Sequence, residues 1–485
     1  MNNNDNNTEN NSTQDTMESA AEDTPKKNKG SRKGRPFIII GVAVAALVGA
    51  SFVPWSTITG GYIKDFNLFS DLFGGSESPV TAEEVIDPEL EKALAQGEKE
   101  PKIMDASETT PRTPEQIKAS TAPRVNGEMV FEDYTVNSQG LAHLRQALTQ
   151  KDSRPVRIAV IGDSYIEGDI LTMDIREQLQ DIYGGCGVGY MPAWSHVAGF
   201  RTSVKHSSNG WTEHDIRKGA KDKFKSLAGE YFTASVGAKS TYRGTESRKH
   251  LDKWYNTRFM FVAPTSGTVI IKTDSGENKF NVTASDSIQT LCVPGATTMA
   301  EVTSGINGLQ SFGIFLEGKN GILVDNMSLR GNSGITHRNI SRDLAAQMRR
   351  YVDYDLIIVE YGINALTSKQ KDYNGYRKLM EQTISRLKEC YPKADIVMMG
   401  IGDRGQKING TVQSIPTSQF MVDAQRDAAR NTGIIFWDTR EAMGGENAVV
   451  AWRDKGMINA DYIHLNAKGG AELARLFVNT LKRSL

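Results

Sequence analysis

The sequence predicts an α/β fold in which a doubly wound parallel sheet is interrupted by an inserted β-sandwich. Three observations lead to this prediction. Apolar runs alternate with helical patterns in two parts of the chain, and a central part has only short β-rich runs separated by Gly, Ser, Asn and Asp. The length of 485 residues also exceeds what one hydrophobic core normally holds, so two to three domains are expected.

The α/β pattern begins with an apolar run, Arg157 to Ile161, that leads directly into Gly162-Asp163-Ser164. This pattern predicts a buried parallel strand and a tight turn, followed by a helix over 171–183. A shorter helix, 141–148, precedes the strand. Beyond residue 321 the sequence predicts strands at 322–329, 355–360, 394–401 and 433–437, and helices at 340–352, 373–391, 419–431 and 468–482. Such alternation is typical of a parallel sheet covered by helices on both faces.

The central segment, 206–321, is predicted to be the inserted β-sandwich. Its β-rich runs lie at 258–263, 267–273, 279–284, 288–293 and 312–317, at the regular spacing typical of sandwiches. Trp211, Trp254 and Tyr255 are candidates either for a platform that stacks on sugar rings or for the aromatic core of the sandwich.

The N-terminal region predicts a membrane anchor. Residues 1–35 are polar, end in a basic cluster and are expected to be a disordered cytoplasmic tail. The apolar segment 36–55 is just long enough to cross a bilayer, and the basic residues before it place the N-terminus in the cytoplasm. A cleaved signal peptide is the alternative, because the apolar run is short. Residues 56–127 are expected to be a flexible stalk that carries a periplasmic or extracytoplasmic head away from the inner membrane.

Composition excludes several other classes of protein. The net charge is −1, with 57 basic and 58 acidic residues, so nothing indicates a nucleic-acid partner. Three cysteines are too few for a disulfide scaffold or a Cys-rich zinc site, although one disulfide remains possible. They are Cys186, Cys292 and Cys390. His206, His214 and Asp215 lie near one another in sequence but lack a metal-binding motif, so no metal is expected.

Polar residues follow three predicted strands and precede the last helix. Ser164 follows the first strand, Gly331 and Asn364 follow two later ones, and Asp461-x-x-His464 comes before the final helix. Parallel strands bring their carboxyl ends to one edge of a sheet, so these residues are expected to meet. His464 can then activate the Ser164 hydroxyl and Asp461 can orient His464. The backbone N–H groups of Ser164 and Gly331 and the side-chain amide of Asn364 are the candidate oxyanion donors.

These motifs resemble the four blocks of the SGNH (GDSL-like) hydrolases over 128–205 and 322–485, which are predicted to form the hydrolase domain with a flavodoxin-like SGNH fold. The resemblance implies that Ser164 is the nucleophile, His464 the base and Asp461 the orienting acid, without a cofactor. Within this family, the position of the insert and the sequence from Gly162 to Asp169 most resemble one subgroup, the peptidoglycan O-acetylesterases that carry an inserted carbohydrate-binding-like domain. Tyr165 and Ala365 depart from the pattern of that subgroup.

Three functions fit these features. The first is a serine esterase that removes O-acetyl groups from a cell-envelope glycan, with O-acetylated peptidoglycan as the expected substrate. The second is an O-acetyltransferase that passes the same acyl group to a sugar hydroxyl, and the third is a non-catalytic glycan-binding envelope protein. The sequence does not determine the acyl group, the glycan or the oligomeric state.

Overall fold

A six-stranded sheet holds the residues that the sequence places at the active site. The structure is a computed structural model that describes residues 90–92, 94–95, 124–125 and 128–485. The strands are β1 (Arg124–Val125), β2 (Glu128–Met129), β3 (Glu132–Asp133), β4 (Pro155–Gly162), β5 (Gly189–Met191), β6 (Lys205–Asp215), β7 (Glu230–Arg243), β8 (Trp254–Ala263), β9 (Gly267–Thr273), β10 (Gly276–Val282), β11 (Ser285–Thr297), β12 (Met299–Ser304), β13 (Gln310–Glu317), β14 (Gly321–Ser328), β15 (Leu356–Glu360), β16 (Asp395–Met399), β17 (Gly405–Ile408), β18 (Thr411–Ser414) and β19 (Ile435–Trp437).

The helices from residue 128 onward surround this sheet. They are α1 (Ala142–Leu148), α2 (Thr172–Tyr183), α3 (Arg342–Met348), α4 (Asn374–Cys390), α5 (Ser418–Thr432), α6 (Thr439–Met443), α7 (Ala448–Asp454) and α8 (Ala467–Ser484). Short 3₁₀ turns lie at Glu167–Asp169, Ile335–Asn339 and Ile363–Ala365, immediately after the strands that carry the candidate site.

The six-stranded sheet has the order β14-β4-β15-β16-β19-β3, with five parallel strands and β3 antiparallel at one edge. The predicted α/β fold with a parallel sheet is therefore confirmed. Strand β15 is buried along its whole length, as expected for a strand with helices over both faces. Gly162 pairs with Ser328 on one side and with Glu360 on the other, so β4, β14 and β15 end at the same level. This register brings the loops after these strands together.

A second sheet of nine antiparallel strands lies between α2 and β14 in the chain, in the order β10-β9-β12-β7-β13-β8-β11, with β5 paired to β13 and β6 paired to β7. Alternate apolar residues of β7, β8, β9, β12 and β13 enclose one hydrophobic cluster, in which Trp254 is 1% exposed. Trp254 is thus a core aromatic. The opposite faces of β8 and β13 contribute Met260 and Phe315 to the hydrolase core, so β8 and β13 are covered on both faces.

The segment predicted as a flexible stalk packs against the hydrolase at one point. Residues 90–92 and 94–95 are helical, Leu90 is buried in the hydrolase core, and Leu94 packs against it. Their i, i+4 spacing places both side chains on one helix face, which departs from a flexible chain at this position. The predicted tail at 1–35 and anchor at 36–55 lie outside the described residues. Within the described residues, no helix has the length and apolar content needed to cross a bilayer.

The cysteine thiols are all unpaired, since the three residues are free in the structure. Cys390 is buried at the end of α4, whereas the other two are partly exposed. The disulfide that the sequence left open therefore does not form among these residues.

Candidate active site

The turn after β4 presents Ser164. Gly162 ends the strand, and the buried Asp163 accepts the backbone N–H of Tyr165 at 2.9 Å, which closes a tight turn around Ser164. The neighbouring loop is tied to this turn, because the N–H of Leu329 donates to the carbonyl oxygen of Gly162 at 2.9 Å. Ser164 therefore lies just beyond the carboxyl edge of the parallel sheet, where ligands bind in open α/β folds.

Three residues that the sequence separates by up to 300 positions meet at this edge. Ser164 Oγ lies 2.9 Å from Nε2 of His464, and Nδ1 of His464 lies 2.7 Å from Oδ2 of Asp461. An ionised carboxylate can only accept, so the hydrogen on His464 sits on Nδ1 and leaves Nε2 free to accept the Ser164 proton. This arrangement is a nucleophile, a base and an orienting acid in hydrogen-bond contact.

The loop that carries His464 is fixed by its own backbone. Oδ1 of Asp461 accepts the N–H groups of Ile463 and His464 at 2.9 and 3.0 Å. Burial alone would raise the pKa of the Asp461 carboxyl, but the hydrogen bonds from the His464 ring and the two backbone N–H groups lower it below its usual value. Asn466 then caps α8 by accepting the N–H groups of Lys468 and Gly469. The carboxylate stays ionised and holds the imidazole in one orientation.

Two of the three predicted oxyanion donors are unoccupied. The backbone N–H groups of Ser164 and Gly331 donate to no other group in the described part of the chain. Gly331 has φ +70°, a left-handed conformation that favours glycine, and a Cβ there would lie 3.1 Å from Nη1 of Arg217. These N–H groups are available to stabilise an oxyanion.

The third predicted donor, the side-chain amide of Asn364, is already occupied. Its Nδ2 donates to Oδ2 of Asp163 at 2.9 Å and to the carbonyl oxygen of Asn332 at 3.0 Å. An amide nitrogen has only two hydrogens. Asn364 therefore joins the Ser164 turn to the loop after β14, and it can donate to a substrate oxygen only by giving up one of these bonds.

A buried acidic pair lies directly under the nucleophile. Asp163 is fully buried, its backbone N–H donates to the Glu360 carboxyl, and Glu360 is 1% exposed. Burial, followed by the nearby charge of Asp163, raises the pKa of Glu360 well above its usual value. The raised pKa favours the protonated form of Glu360, which disfavours a second negative charge under the Ser164 turn. The sequence gives no signal for this role of Glu360, because the residue ends an apolar run predicted as a strand.

One further charged side chain reaches the site from the inserted domain. Nη1 of Arg217 donates to the carbonyl oxygen of Arg330 at 2.5 Å, and the guanidinium is held by Asp215 through Nε at 3.2 Å and Nη2 at 2.8 Å. The sequence gives no signal for this contact, since the two partners are 113 residues apart and lie in different predicted domains.

Comparisons with known protein families and solved structures match parts of the chain. Residues 302–471 match the model of the GDSL-like Lipase/Acylhydrolase family. The chain carries a GDSL-like hydrolase domain. The match includes Gly331, Asn364, Asp461 and His464 but begins beyond Ser164, because the insert separates the nucleophile from the other motifs. No curated protein sequence matches the chain.

One solved structure shows the same fold. A peptidoglycan O-acetylesterase is 23% identical, with a TM-score of 0.60, over 73% of this chain and 98% of that one. A Bacillus subtilis protein is 15% identical over 57% of this chain and 90% of its own, with a TM-score of 0.29. An acetyl xylan esterase is 16% identical over 33% and 81%, with a TM-score of 0.25. Of these three structures, the O-acetylesterase shows the fold of this chain, whereas the TM-scores of the other two are too low to indicate a shared fold.

The two departures from the subgroup pattern lie in the core. Tyr165 is 2% exposed, with its hydroxyl 3.7 Å from Sδ of Met443, and Ala365 is 1% exposed. Neither side chain contacts Ser164, His464 or Asp461 through a hydrogen bond in the described structure, so both departures leave the reacting groups unchanged.

Proposed function

We propose that the protein is a serine esterase that removes O-acetyl groups from a cell-envelope glycan, with O-acetylated peptidoglycan as its substrate. The observation that carries the proposal is the continuous contact from Ser164 through His464 to Asp461, next to two unoccupied backbone N–H groups. Such a set of groups performs acyl transfer through a serine ester.

The reaction proceeds in two steps. His464 takes the Ser164 proton while Oγ attacks the acetyl carbonyl carbon, and the carbonyl oxygen becomes an oxyanion held by the N–H groups of Ser164 and Gly331. The sugar oxygen leaves with the proton from His464, which produces an acetylated Ser164. Water, deprotonated by His464, then attacks this ester; the bond to Ser164 Oγ breaks, acetate leaves, and His464 returns the proton to Oγ.

The substrate class rests on supporting features. The insert is a β domain packed against the hydrolase core, and the fold resembles that of a peptidoglycan O-acetylesterase. The sequence also predicts an anchor at 36–55 and an extracytoplasmic head, which would place the site beside the cell wall. All three features suit an enzyme that acts on an envelope polymer rather than on a soluble metabolite.

The test is acetate release from O-acetylated peptidoglycan by the full-length protein. We expect release by the wild type, none from peptidoglycan whose esters were first removed by mild base, and loss of at least about 10³-fold in kcat with Ser164→Ala. Ser153→Ala, a substitution of an exposed serine in the turn before β4, is the matched control and should retain full activity. Equal release by wild type and Ser164→Ala would contradict the proposal. Acetyl transfer to an added glycan in preference to water would identify a transferase instead.

A further inference from the structure

The loop after β14 holds one of the predicted oxyanion donors, the N–H of Gly331. This loop needs a fixed conformation, because an oxyanion donor acts only when it points at the position of the developing charge. The Arg330–Gly331 peptide is planar and trans, so its carbonyl oxygen and its N–H point in opposite directions. Any group that fixes the Arg330 carbonyl oxygen also fixes the direction of the Gly331 N–H.

Arg217 is the group that does so. Its Nη1 donates to the Arg330 carbonyl oxygen at 2.5 Å, which also polarises the peptide and strengthens its N–H as a donor. The guanidinium cannot swing away freely, since both oxygens of Asp215 accept from it and Oδ1 also accepts the Arg217 backbone N–H at 2.7 Å. The side chain of Arg217 is only 28% exposed.

The turn that carries Arg217 belongs to the insert but is anchored on the hydrolase. Ile216 is 6% exposed and lies in the hydrolase core. Its N–H donates to the carbonyl oxygen of Gly229, the residue before β7, at 2.7 Å. The ring Nε2 of His337 donates to the carbonyl oxygen of Leu227 at 3.0 Å. The N–H of Ser341 donates to the carbonyl oxygen of Lys225 at 2.9 Å. The segments that flank Arg217 are therefore held against the hydrolase at several points.

The other side of the same loop is tied to the nucleophile turn. Nε of Arg330 contacts Oε2 of Glu167 at 2.8 Å, three residues after Ser164. The Arg330 side chain is 69% exposed, so this ion pair contributes little to stability by itself. Of the two side chains that make these contacts at Arg330, that of Arg217 is the less exposed.

We infer that Arg217 is a positioning residue for catalysis: the inserted β domain completes the oxyanion site by orienting the Arg330–Gly331 peptide. The inference rests on the serine-esterase chemistry proposed above but not on the identity of the glycan. It assigns the insert a part in the chemical step in addition to any part in substrate binding. Loss of Arg217 should lower kcat, whereas KM for a small ester should change little.

The test compares Arg217→Ala and Arg217→Lys with Lys218→Ala, an exposed cation at the next position. The full-length variants hydrolyse 4-nitrophenyl acetate and react with an ethyl 4-nitrophenyl methylphosphonate. In the second reaction Ser164 Oγ bonds to phosphorus, 4-nitrophenolate leaves, and the phosphoryl oxygen occupies the oxyanion site. The amplitude of nitrophenolate release counts competent sites, and its rate reports on oxyanion stabilisation.

Removal of an entire oxyanion donor costs about 10²–10³ in kcat. Misorientation should cost less, so we expect Arg217→Ala to lower kcat and the phosphonylation rate by about tenfold at unchanged amplitude. Arg217→Lys, which keeps one donor and the charge, should recover part of the rate, and Lys218→Ala should match wild type. A lower amplitude with a wild-type rate per site would mean a purely structural role and would overturn the inference, as would a rate within twofold of wild type. If the wild type itself reacts with neither probe, the proposed function fails and the inference fails with it.

Discussion

The Asp461→Asn substitution tests the geometry of the site with little disturbance of the fold. Asp461 uses its two carboxylate oxygens differently: Oδ1 accepts two backbone N–H groups, and Oδ2 accepts Nδ1–H of His464 at 2.7 Å. An asparagine can keep the first oxygen as its carbonyl, so the loop should be preserved. Its NH₂ group would then replace Oδ2 and donate toward Nδ1.

This exchange reverses the tautomer of His464. With Nδ1 forced to accept, the hydrogen moves to Nε2, which faces Ser164 Oγ at 2.9 Å and can no longer take its proton. The equivalent substitution in other serine hydrolases lowers kcat by about 10⁴-fold, which corresponds to about 5.4 kcal/mol of transition-state stabilisation. We expect a loss of this size in kcat, with KM for a small ester nearly unchanged.

The assay is hydrolysis of 4-nitrophenyl acetate at pH 7.5 by the full-length protein, together with thermal unfolding of each variant. Asp454→Asn is the matched control, since Asp454 is exposed at the end of α7 and is not one of the residues assigned to the active site. A kcat for Asp461→Asn within tenfold of wild type, in a protein with an unchanged melting temperature, would refute the assigned role of Asp461.

Two further predictions follow from buried titratable groups. Burial and Asp163 raise the pKa of Glu360, so its proton stabilises the fold below the unfolded pKa near 4.5, and that stability is lost as the pH rises toward the folded pKa. Glu360→Gln should therefore lose less unfolding free energy than wild type as the pH rises above about 4.5 in urea titrations, and an equal or larger loss would contradict the raised pKa of Glu360. Burial lowers the pKa of His337 from 6.5 to about 4, because the charged imidazolium would lose its hydration in the core. Wild-type unfolding free energy should therefore fall by up to about 1.4 kcal/mol per pH unit from this residue as the pH drops from 6.5 toward 4. His337→Gln should flatten that slope, and an unchanged slope would contradict the explanation.

The α/β part of the fold was predictable because its elements are long and periodic. The helix predicted at 373–391 is α4, Asn374–Cys390, whose buried Met380, Ile384 and Leu387 recur at helical spacing. The strand predicted at 322–329 is β14, Gly321–Ser328, which begins with an apolar run and is buried at every residue except the last. In both elements the local pattern and the tertiary burial agree.

Several elements of the insert and of the C-terminal region could not be predicted in this way. Strand β6 is rich in Ser, Asn and charged residues and is largely exposed, so its pairing with β7 determines its conformation. Gly237 interrupts the pattern of β7. Helices α6 and α7, for which the sequence predicts no element, have only 5 and 7 residues, too few to show a helical period.

The candidate site was predictable as far as it is made of residues at strand ends. Ser164, Gly331, Asn364, Asp461 and His464 follow strands or precede a helix, and parallel topology brings such positions together. The side-chain amide of Asn364 is occupied partly by the carbonyl oxygen of Asn332. The direction of the Gly331 N–H depends on the contact between Arg217 and the Arg330 carbonyl oxygen. Both depend on contacts between distant segments that no local pattern records.

The central claim is that an acetyl group passes through Ser164, and trapping that intermediate tests it most directly. The full-length protein would be mixed with excess 4-nitrophenyl acetate, stopped with acid within the first turnovers, digested and examined by mass spectrometry. We predict one acetyl group on the peptide that contains Ser164, absent from the Ser164→Ala variant. Active hydrolysis by wild type with the acetyl group on another residue, or with the same activity in Ser164→Ala, would contradict the account.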